Sequence, residues 1–211
     1  YTKLSPKEIN KQADQSQIRS LNKSLEKKMI AVIKNAKEKG DSIGGSFQIQ
    51  IAGAPYGLGS YTTWHEKLNA RLGKAILSIN GIKSFDVGLG SLSEEKLGSQ
   101  LHDEIWYNKT FIRKSNNCGG IEGGMSNGQK IIISATMKPI PTLTKPLNSV
   151  DIITKEAKLA HKERTDSCSV PAASIIGESM ACMVICDALL DKFGGDSIEE
   201  LSRHIKQSAK Y

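Results

Sequence analysis

The stretch SFQIQIA, Ser46–Ala52, alternates apolar and polar side chains along its whole length. Phe47, Ile49 and Ile51 therefore lie on one side of an extended chain, and the serine and the two glutamines lie on the other. This alternation predicts a β-strand with one buried face and one wet face, as is common in antiparallel sheets and uncommon in fully covered parallel ones.

A helix is predicted on each side of this strand. Over Ser24–Lys39 and over Trp64–Ile82, apolar residues recur at helical spacing and form one stripe. Ser24 is the expected N-cap of the first helix, and Gly40 stands where a terminating glycine belongs. Further strands are predicted near Phe85–Gly90 and over Ile131–Met137. The helices alternate with strands of antiparallel type, so the fold class is α+β, with helices packed against antiparallel sheet.

The longest apolar run, Ala172–Leu190, predicts a further helix, which Pro171 can open because proline suits the first turn of a helix. Glu178 and Asp187 interrupt the run, which favours a buried core helix over a membrane span. Cys182 and Cys186 share one face of this helix and are expected to be small buried hydrophobic residues.

The composition predicts a cytoplasmic protein of ordinary globular type. Residues 1–23 are polar and are expected to be loosely structured, with residues 24–211 forming one domain. The four cysteines form no C-x-x-C pair and have no further ligands at zinc spacing, which indicates a reducing compartment and no metal site. The net charge of +7 allows nucleic-acid binding, but no nucleic-acid-binding motif occurs. We therefore interpret the charge as a solvated surface that attracts small anions.

The oddest segment is NNCGGIEGGMSNG, Asn116–Gly128, which we call the glycine stretch. Glycine permits backbone conformations closed to other residues and lets a ligand approach the main chain. Successive exposed N–H groups in such a loop can bind an anion. The pattern matches neither of the common nucleotide-binding motifs, and on its own the segment favours a plain turn-rich loop.

Two later segments carry further candidate groups. In Lys138–Thr142, KPIPT, a lysine and a threonine hydroxyl stand on a chain stiffened by two prolines and could hold a phosphate or a ring carbonyl. The end of an edge strand is the alternative interpretation. Arg164 offers a planar fork for an anion, and Asp166 could accept a proton, although it could equally be a loop or capping carboxylate.

Taken together, five blocks of this sequence resemble the chorismate synthase family, in the same order and at similar spacing. These blocks are GDSIGG (Gly40–Gly45), LNARLGKAILSINGIK (Leu68–Lys83), the glycine stretch, MKPIPTLTKPLNSVDI (Met137–Ile152) and ERTDSCSVPAASI (Glu163–Ile175). The motifs K-P-I-P-T and E-R-x-D are similar to those of the Gram-positive bacterial branch of the family.

The resemblance implies a fold, a reaction and a cofactor. The fold would be a β-α-β sandwich, and the assembly a homotetramer. The reaction would convert 5-enolpyruvylshikimate 3-phosphate to chorismate and phosphate by 1,4-elimination, in aromatic amino acid biosynthesis. It would need reduced FMN, re-reduced by NADPH, although it has no net redox change. The partner is then a small-molecule substrate, with neither a nucleic acid nor a membrane involved.

The resemblance also assigns roles to individual residues. Asp166 matches a carboxylate that takes up the proton at flavin N5, and Arg164 matches an arginine that contacts flavin and substrate. The remaining flavin contacts match Asn80, Gly81, Gly123, Lys138, Pro139, Ile140, Pro141 and Thr142.

One departure from the family concerns its amino-terminal blocks, which have no counterpart in this sequence. Those blocks supply both catalytic histidines, and none of His65, His102, His161 and His204 replaces them. We therefore expect a carboxy-terminal half that is inactive alone. The alternative is a truncated paralogue that acts as a binding or structural module.

Overall fold

A computed structural model describes residues 4–163 and 166–208. The chain divides into two compact units. The first unit comprises Tyr1–Phe47 and Thr136–Ala173, and the second comprises Gln48–Ala135 and Ser174–Tyr211.

The elements follow one another in a mixed order, as the α+β prediction requires. In chain order they are α1 (Pro6–Ala13), α2 (Lys23–Glu38), β1 (Gly45–Ile51), α3 (Leu68–Leu77), β2 (Ile82–Val87), a 3-10 helix (Gly90–Glu95), α4 (Gly98–Leu101), β3 (Ile105–Asn108), β4 (Thr110–Arg113), β5 (Ile121–Glu122), β6 (Met125–Ser126), β7 (Ile131–Met137), β8 (Asn148–Val150), β9 (Ala157–Leu159), α5 (Val170–Phe193) and α6 (Ile198–Gln207). Three strands form a sheet in the order β1-β7-β2, while β3 with β4, β5 with β6, and β8 with β9 form antiparallel pairs.

The first unit departs from the sequence prediction at its amino-terminal helices. Part of the segment expected to be loosely structured forms α1, whose N-cap Ser5 exchanges hydrogen bonds with Glu8 in a capping box. Helix α2 is capped by Asn22, whose side chain accepts from two backbone N–H groups, and not by Ser24. Gly40 ends α2 with a positive φ of 71°, as predicted.

The hydrophobic core lies in the second unit. Three residues of α3, Leu68, Leu72 and Ile76, have no exposed surface, because their spacing places them on one face of the helix. Three consecutive residues of β7, Ile131–Ile133, are at most 2% exposed. Since successive side chains of a strand point to opposite faces, both faces of β7 are covered. Helix α3 is shorter than predicted, because Asn80 and Gly81 form a turn before β2.

Helix α5 corrects the expectation of a buried helix. Of its most apolar 18-residue window only 22% is buried. Cys182 and Cys186, expected inside, are exposed. In the described part of the chain α5 is the one helix long and apolar enough to cross a bilayer, a property that core helices of globular proteins share. An apolar helix is expected to pack against other elements. Its sequence does not tell how many such elements the chain contains.

Candidate functional site

The glycine stretch, Asn116–Gly128, is built around a two-residue hairpin turn. Strands β5 and β6 pair antiparallel, and Gly123 and Gly124 connect them with φ values of 60° and 90°. Two successive positive φ values are typical of the turns that fit the twist of a hairpin, and they favour glycine at both positions.

At its beginning the glycine stretch docks backbone against backbone on the sheet. A Cβ atom on Gly119 would lie 2.2 Å from the backbone N of Gly88, which follows β2. The N–H of Gly88 donates to the carbonyl of Ile132 at 2.9 Å, and the N–H of Ile132 donates to the carbonyl of Gly119 at 3.1 Å. Close packing thus explains why glycine occurs at these positions, and no ligand is needed to explain it.

Gly123 differs from the other glycines of the turn region. A Cβ atom on Gly120 or Gly124 would meet other atoms at 2.5 and 2.6 Å, whereas one on Gly123 would meet nothing within 4 Å. Gly123 is also exposed. Its main chain is therefore open to an approaching molecule, which is the property that a backbone contact to a cofactor requires.

Asp103 fixes the beginning of the glycine stretch, and sequence reasoning missed it. Its carboxylate is 8% exposed and accepts from the Ser115 hydroxyl at 2.5 Å and from the N–H groups of Asn117 and Cys118 at 2.8 and 3.0 Å. Burial favours the protonated acid, but the hydrogen bonds outweigh it and lower the pKa of Asp103. Burial and the neighbouring Asp103 raise the pKa of the Cys118 thiol, which makes Cys118 a poor nucleophile.

An ion pair supports the other side of the hairpin. The Arg113 guanidinium lies 2.6 Å from the Glu122 carboxylate, which also accepts from the Asn127 amide at 2.9 Å. A cavity of about 250 Å³ opens beside this group and is lined by Tyr56, Phe111 and neighbouring residues. Because Glu122 already neutralises Arg113, this cavity is no evident receptor for an anion.

The segment Lys138–Thr142, which we call the proline segment, follows the end of β7 without regular secondary structure. The Ser42 hydroxyl donates to the carbonyl of Ile140 at 2.6 Å. The Lys138 ammonium contacts the carbonyl of Pro139 at 3.2 Å, near solvent. The segment thus offers a cation on a chain whose prolines restrict its motion.

The predicted site residues fall in both units. Asn80, Gly81 and Gly123 belong to the second unit, where Asn80 is exposed and Gly81 turns the chain with a φ of 86°. The proline segment and Asp166 belong to the first unit, where Asp166 is exposed. Arg164 lies outside the described residues.

Comparison with known proteins identifies the family. The family model described as chorismate synthase matches residues 3–190. The chorismate synthase of Alkaliphilus metalliredigens is 55% identical over 92% of this chain and 51% of its own length. Chorismate synthase 2 of Bacillus cereus (strain ATCC 14579) is 47% identical over 99% of this chain and 54% of its own length.

A solved structure agrees in fold. A crystal structure of chorismate synthase superposes with a TM-score of 0.78 and 36% identity, over 94% of this chain and 52% of the other. The α+β prediction and the predicted resemblance are confirmed. The chain spans about half the length of the relatives it matches. By sequence and by fold, it belongs to the chorismate synthase family.

Proposed function

We propose that this chain is part of a chorismate synthase, which converts 5-enolpyruvylshikimate 3-phosphate to chorismate and phosphate with reduced FMN. The observation that carries the proposal is the 55% identity to a relative of that name over 92% of the chain. In this reaction a ring proton and the phosphate group leave the substrate, so that one double bond is gained and no net oxidation occurs.

Each unit offers one feature that suits an anionic, planar cofactor. Gly123 offers an accessible main chain, because a side chain there would occupy open space. Lys138 offers an ammonium group near solvent. When bound, reduced FMN supplies electron density toward the departing phosphate. Asn80, Gly81 and Pro139–Thr142 complete the proposed flavin-binding set.

Two residues have proposed roles in proton transfer and charge stabilisation. A carboxylate oxygen of Asp166, an exposed residue, accepts a proton. Arg164 binds an anionic group of the flavin or the substrate, since its planar fork suits phosphate and carboxylate. The proposal extends to a cytoplasmic homotetramer whose flavin is re-reduced with NADPH.

Flavin titration tests the binding part of this proposal. The chain is titrated anaerobically with reduced FMN, followed by absorbance, and with oxidised FMN, followed by fluorescence quenching. Lys138→Met should weaken binding about tenfold, as expected for the loss of one charge-assisted contact. Lys145→Met, at an exposed lysine of the same unit, is the matched control. Equal affinities of the two variants would contradict the role of Lys138.

A phosphate-release assay tests the catalytic part. The chain is assayed with substrate and reduced FMN, alone and together with the half of the Alkaliphilus relative that it does not match. We expect no turnover by the chain alone and measurable turnover by the mixture. Turnover by the chain alone would contradict the expected inactivity. A mixture that forms a complex without turnover would support the alternative of a non-catalytic module.

A further inference from the structure

The block Gly40–Gly45, which we call the spacer block, is one of the five blocks that resemble the family, and the proposed function gives it no role. It contacts two segments that carry proposed site residues. One is the proline segment, and the other is Asp166–Val170, which we call the aspartate segment. The spacer block and both segments belong to the first unit.

The spacer block packs closely against the beginning of the proline segment. The Ser42 hydroxyl donates to the carbonyl of Ile140 at 2.6 Å. A Cβ atom on Gly44 would overlap the carbonyl oxygen of Met137 and would lie 3.0 Å from the backbone of Lys138. Gly44 has no positive φ, so lack of space, and not backbone conformation, is what requires glycine here.

The same block contacts the aspartate segment. The N–H of Ile43 donates to the carbonyl of Ser167 at 2.8 Å. A Cβ atom on Gly45 would lie 3.4 Å from the side chain of Val170, the residue at which α5 begins. The residue next to Asp166 is therefore tied directly to the spacer block.

The contacts alternate along the spacer block. Ser42 and Gly44 face the proline segment, whereas Ile43 and Gly45 face the aspartate segment. This is the pattern of an extended chain, whose successive residues point to opposite sides. The spacer block therefore lies between two segments that the proposed function assigns to one flavin.

Both ends of the spacer block are anchored. At its beginning, the N–H of Asp41 donates to the carbonyl of Ala36 in α2 at 2.9 Å, and the carbonyl of Gly40 accepts from the N–H of Lys145 at 3.1 Å. At its end, Gly45 begins β1, which pairs with β7, the strand that leads into the proline segment. The block therefore cannot slide freely past either segment.

We propose that the spacer block sets the separation of the proline segment from the aspartate segment, and that Gly44 is a positioning residue for the flavin. This inference rests on the proposed function, because it takes Lys138 and Asp166 to act on the same flavin. A side chain at position 44 would push the beginning of the proline segment away. The two groups would then no longer meet the flavin together, and small misplacements of such groups are costly.

The first test needs no flavin. Proton–nitrogen correlation NMR spectra of the labelled chain are compared with those of Gly44→Ala and Gly98→Ala. The amides of Ile140 and Cys168 report on the two sides of the spacer block, since Cys168 shares a peptide bond with the Ser167 carbonyl. Gly44→Ala should shift both resonances. Gly98→Ala, in the second unit, should shift neither, because its methyl group would meet its nearest neighbour at an ordinary 3.6 Å.

A double-mutant cycle with reduced FMN then tests the positioning of the flavin. Lys138→Met should weaken binding about tenfold in the wild type. Gly44→Ala alone should weaken binding at least about tenfold, and adding Lys138→Met should then cost less than about threefold more, because the ammonium group is already misplaced. In the Gly98→Ala background Lys138→Met should still cost about tenfold. Circular dichroism checks that each variant is folded.

A milder variant keeps the test decisive if Gly44→Ala does not fold. Ser42→Ala removes one contact to the proline segment and adds no bulk. It should shift the amide resonances of Ile140 and Cys168 in the same way, by smaller amounts, because a block held from both sides transmits a change from one side to the other.

Two results would overturn the proposal. Resonance shifts confined to one side of the spacer block would show that it does not link the two segments. A cost of Lys138→Met that stays about tenfold in the Gly44→Ala background would show that Gly44 acts through stability alone. Failure of the proposed function is distinguishable, because the wild type itself would then not bind reduced FMN. The NMR comparison would still decide whether the spacer block sets the separation.

Discussion

The glycine stretch and the proline segment are both predicted to contact a flavin, yet they hold their shapes differently. The glycine stretch is fixed by close backbone packing and by hydrogen bonds from within the second unit, with Asp103 at its beginning. The proline segment is held by its own covalent rings and by side-chain hydrogen bonds from Ser42 to the carbonyl of Ile140 and from Lys138 to the carbonyl of Pro139.

This difference predicts different sensitivities to substitution. The glycine stretch is so closely packed that adding a single Cβ atom at one of its packed glycines would force the backbone to move. The proline segment depends more on restricted torsion angles, which also restrict the unfolded chain. Close backbone packing is found only at its beginning among the described residues, where a Cβ atom on Gly44 would lie 3.0 Å from the backbone of Lys138 and Pro139. Substitutions at the closely packed glycines of the glycine stretch should therefore reduce stability strongly, and loss of a side-chain hydrogen bond to the proline segment weakly.

The largest effect is expected from Gly119→Ala, compared with Gly123→Ala. Both glycines have nearly the same φ, 65° and 60°, so both substitutions carry the same conformational strain. Only at position 119 would the new methyl group meet backbone, at 2.2 Å from the N atom of Gly88. We expect Gly119→Ala to lower the free energy of unfolding by about 3 kcal/mol or more, and Gly123→Ala by about 1 kcal/mol.

Urea unfolding monitored by circular dichroism measures both values. Flavin titration should rank the two substitutions in the opposite order. Gly123→Ala should weaken flavin binding more than Gly119→Ala, because it fills the open space proposed to admit the cofactor. Equal losses of stability at the two positions would contradict the packing argument. An unchanged flavin affinity of Gly123→Ala would contradict the backbone contact proposed for Gly123.

A smaller, pH-dependent effect is expected from Asp103→Asn. The carboxylate accepts three hydrogen bonds, and its loss should lower the free energy of unfolding by about 2 kcal/mol near neutral pH. Because the pKa of Asp103 is lowered on folding, its ionisation contributes fully above the unfolded value of about 3.9. That contribution is lost as the pH falls through the folded pKa.

Urea midpoints of the wild type and of Asp103→Asn between neutral pH and about pH 3 check this prediction. The difference between the two proteins should be constant down to about pH 4 and shrink below it. A difference that stays constant into the acid range would show that the charge of Asp103 contributes nothing. Ser115→Ala, which removes one of the three donors, should give a smaller loss in the same direction.

Strands β1 and β7 were predictable because their signals are local, whereas the short strands β3, β4, β8 and β9 were not predicted. The alternation over Ser46–Ala52 and the apolar run of Ile131–Met137 predicted β1 and β7 within one residue at either end. The ends of helices depended on capping, where Asn22 and Ser24 are both suitable residues and tertiary structure decides between them. The exposure of α5 was not predictable, since it depends on which neighbours the chain contains.

The candidate site was only partly predictable for a related reason. The glycine stretch stood out by composition, but composition could not distinguish Gly119, which is needed for packing, from Gly123, which is open. Asp103 gave no signal, because it lies in a polar segment of weak local preference and its donors come from Ser115–Cys118, farther along the chain. Contacts of this kind are set by the fold and not by the neighbouring sequence.

The smallest effect is expected from Ser42→Ala, beside the proline segment. The substitution removes the hydroxyl that donates to the partly buried carbonyl of Ile140 at 2.6 Å and should lower the free energy of unfolding by about 1 kcal/mol. Ser46→Ala is the matched control, because the Ser46 hydroxyl bonds the Thr136 hydroxyl at 2.9 Å in an exposed position where water can replace it.

Urea unfolding should therefore give a change of less than about 0.5 kcal/mol for Ser46→Ala. Flavin affinity of Ser42→Ala should fall less than about threefold, because the two prolines still limit the conformations of the segment. A loss as large as that of Gly119→Ala would mean that the Ser42 hydrogen bond, and not proline stiffness, holds the proline segment. The two regions would then share one mechanism, since each would depend on a contact made by a residue distant in sequence.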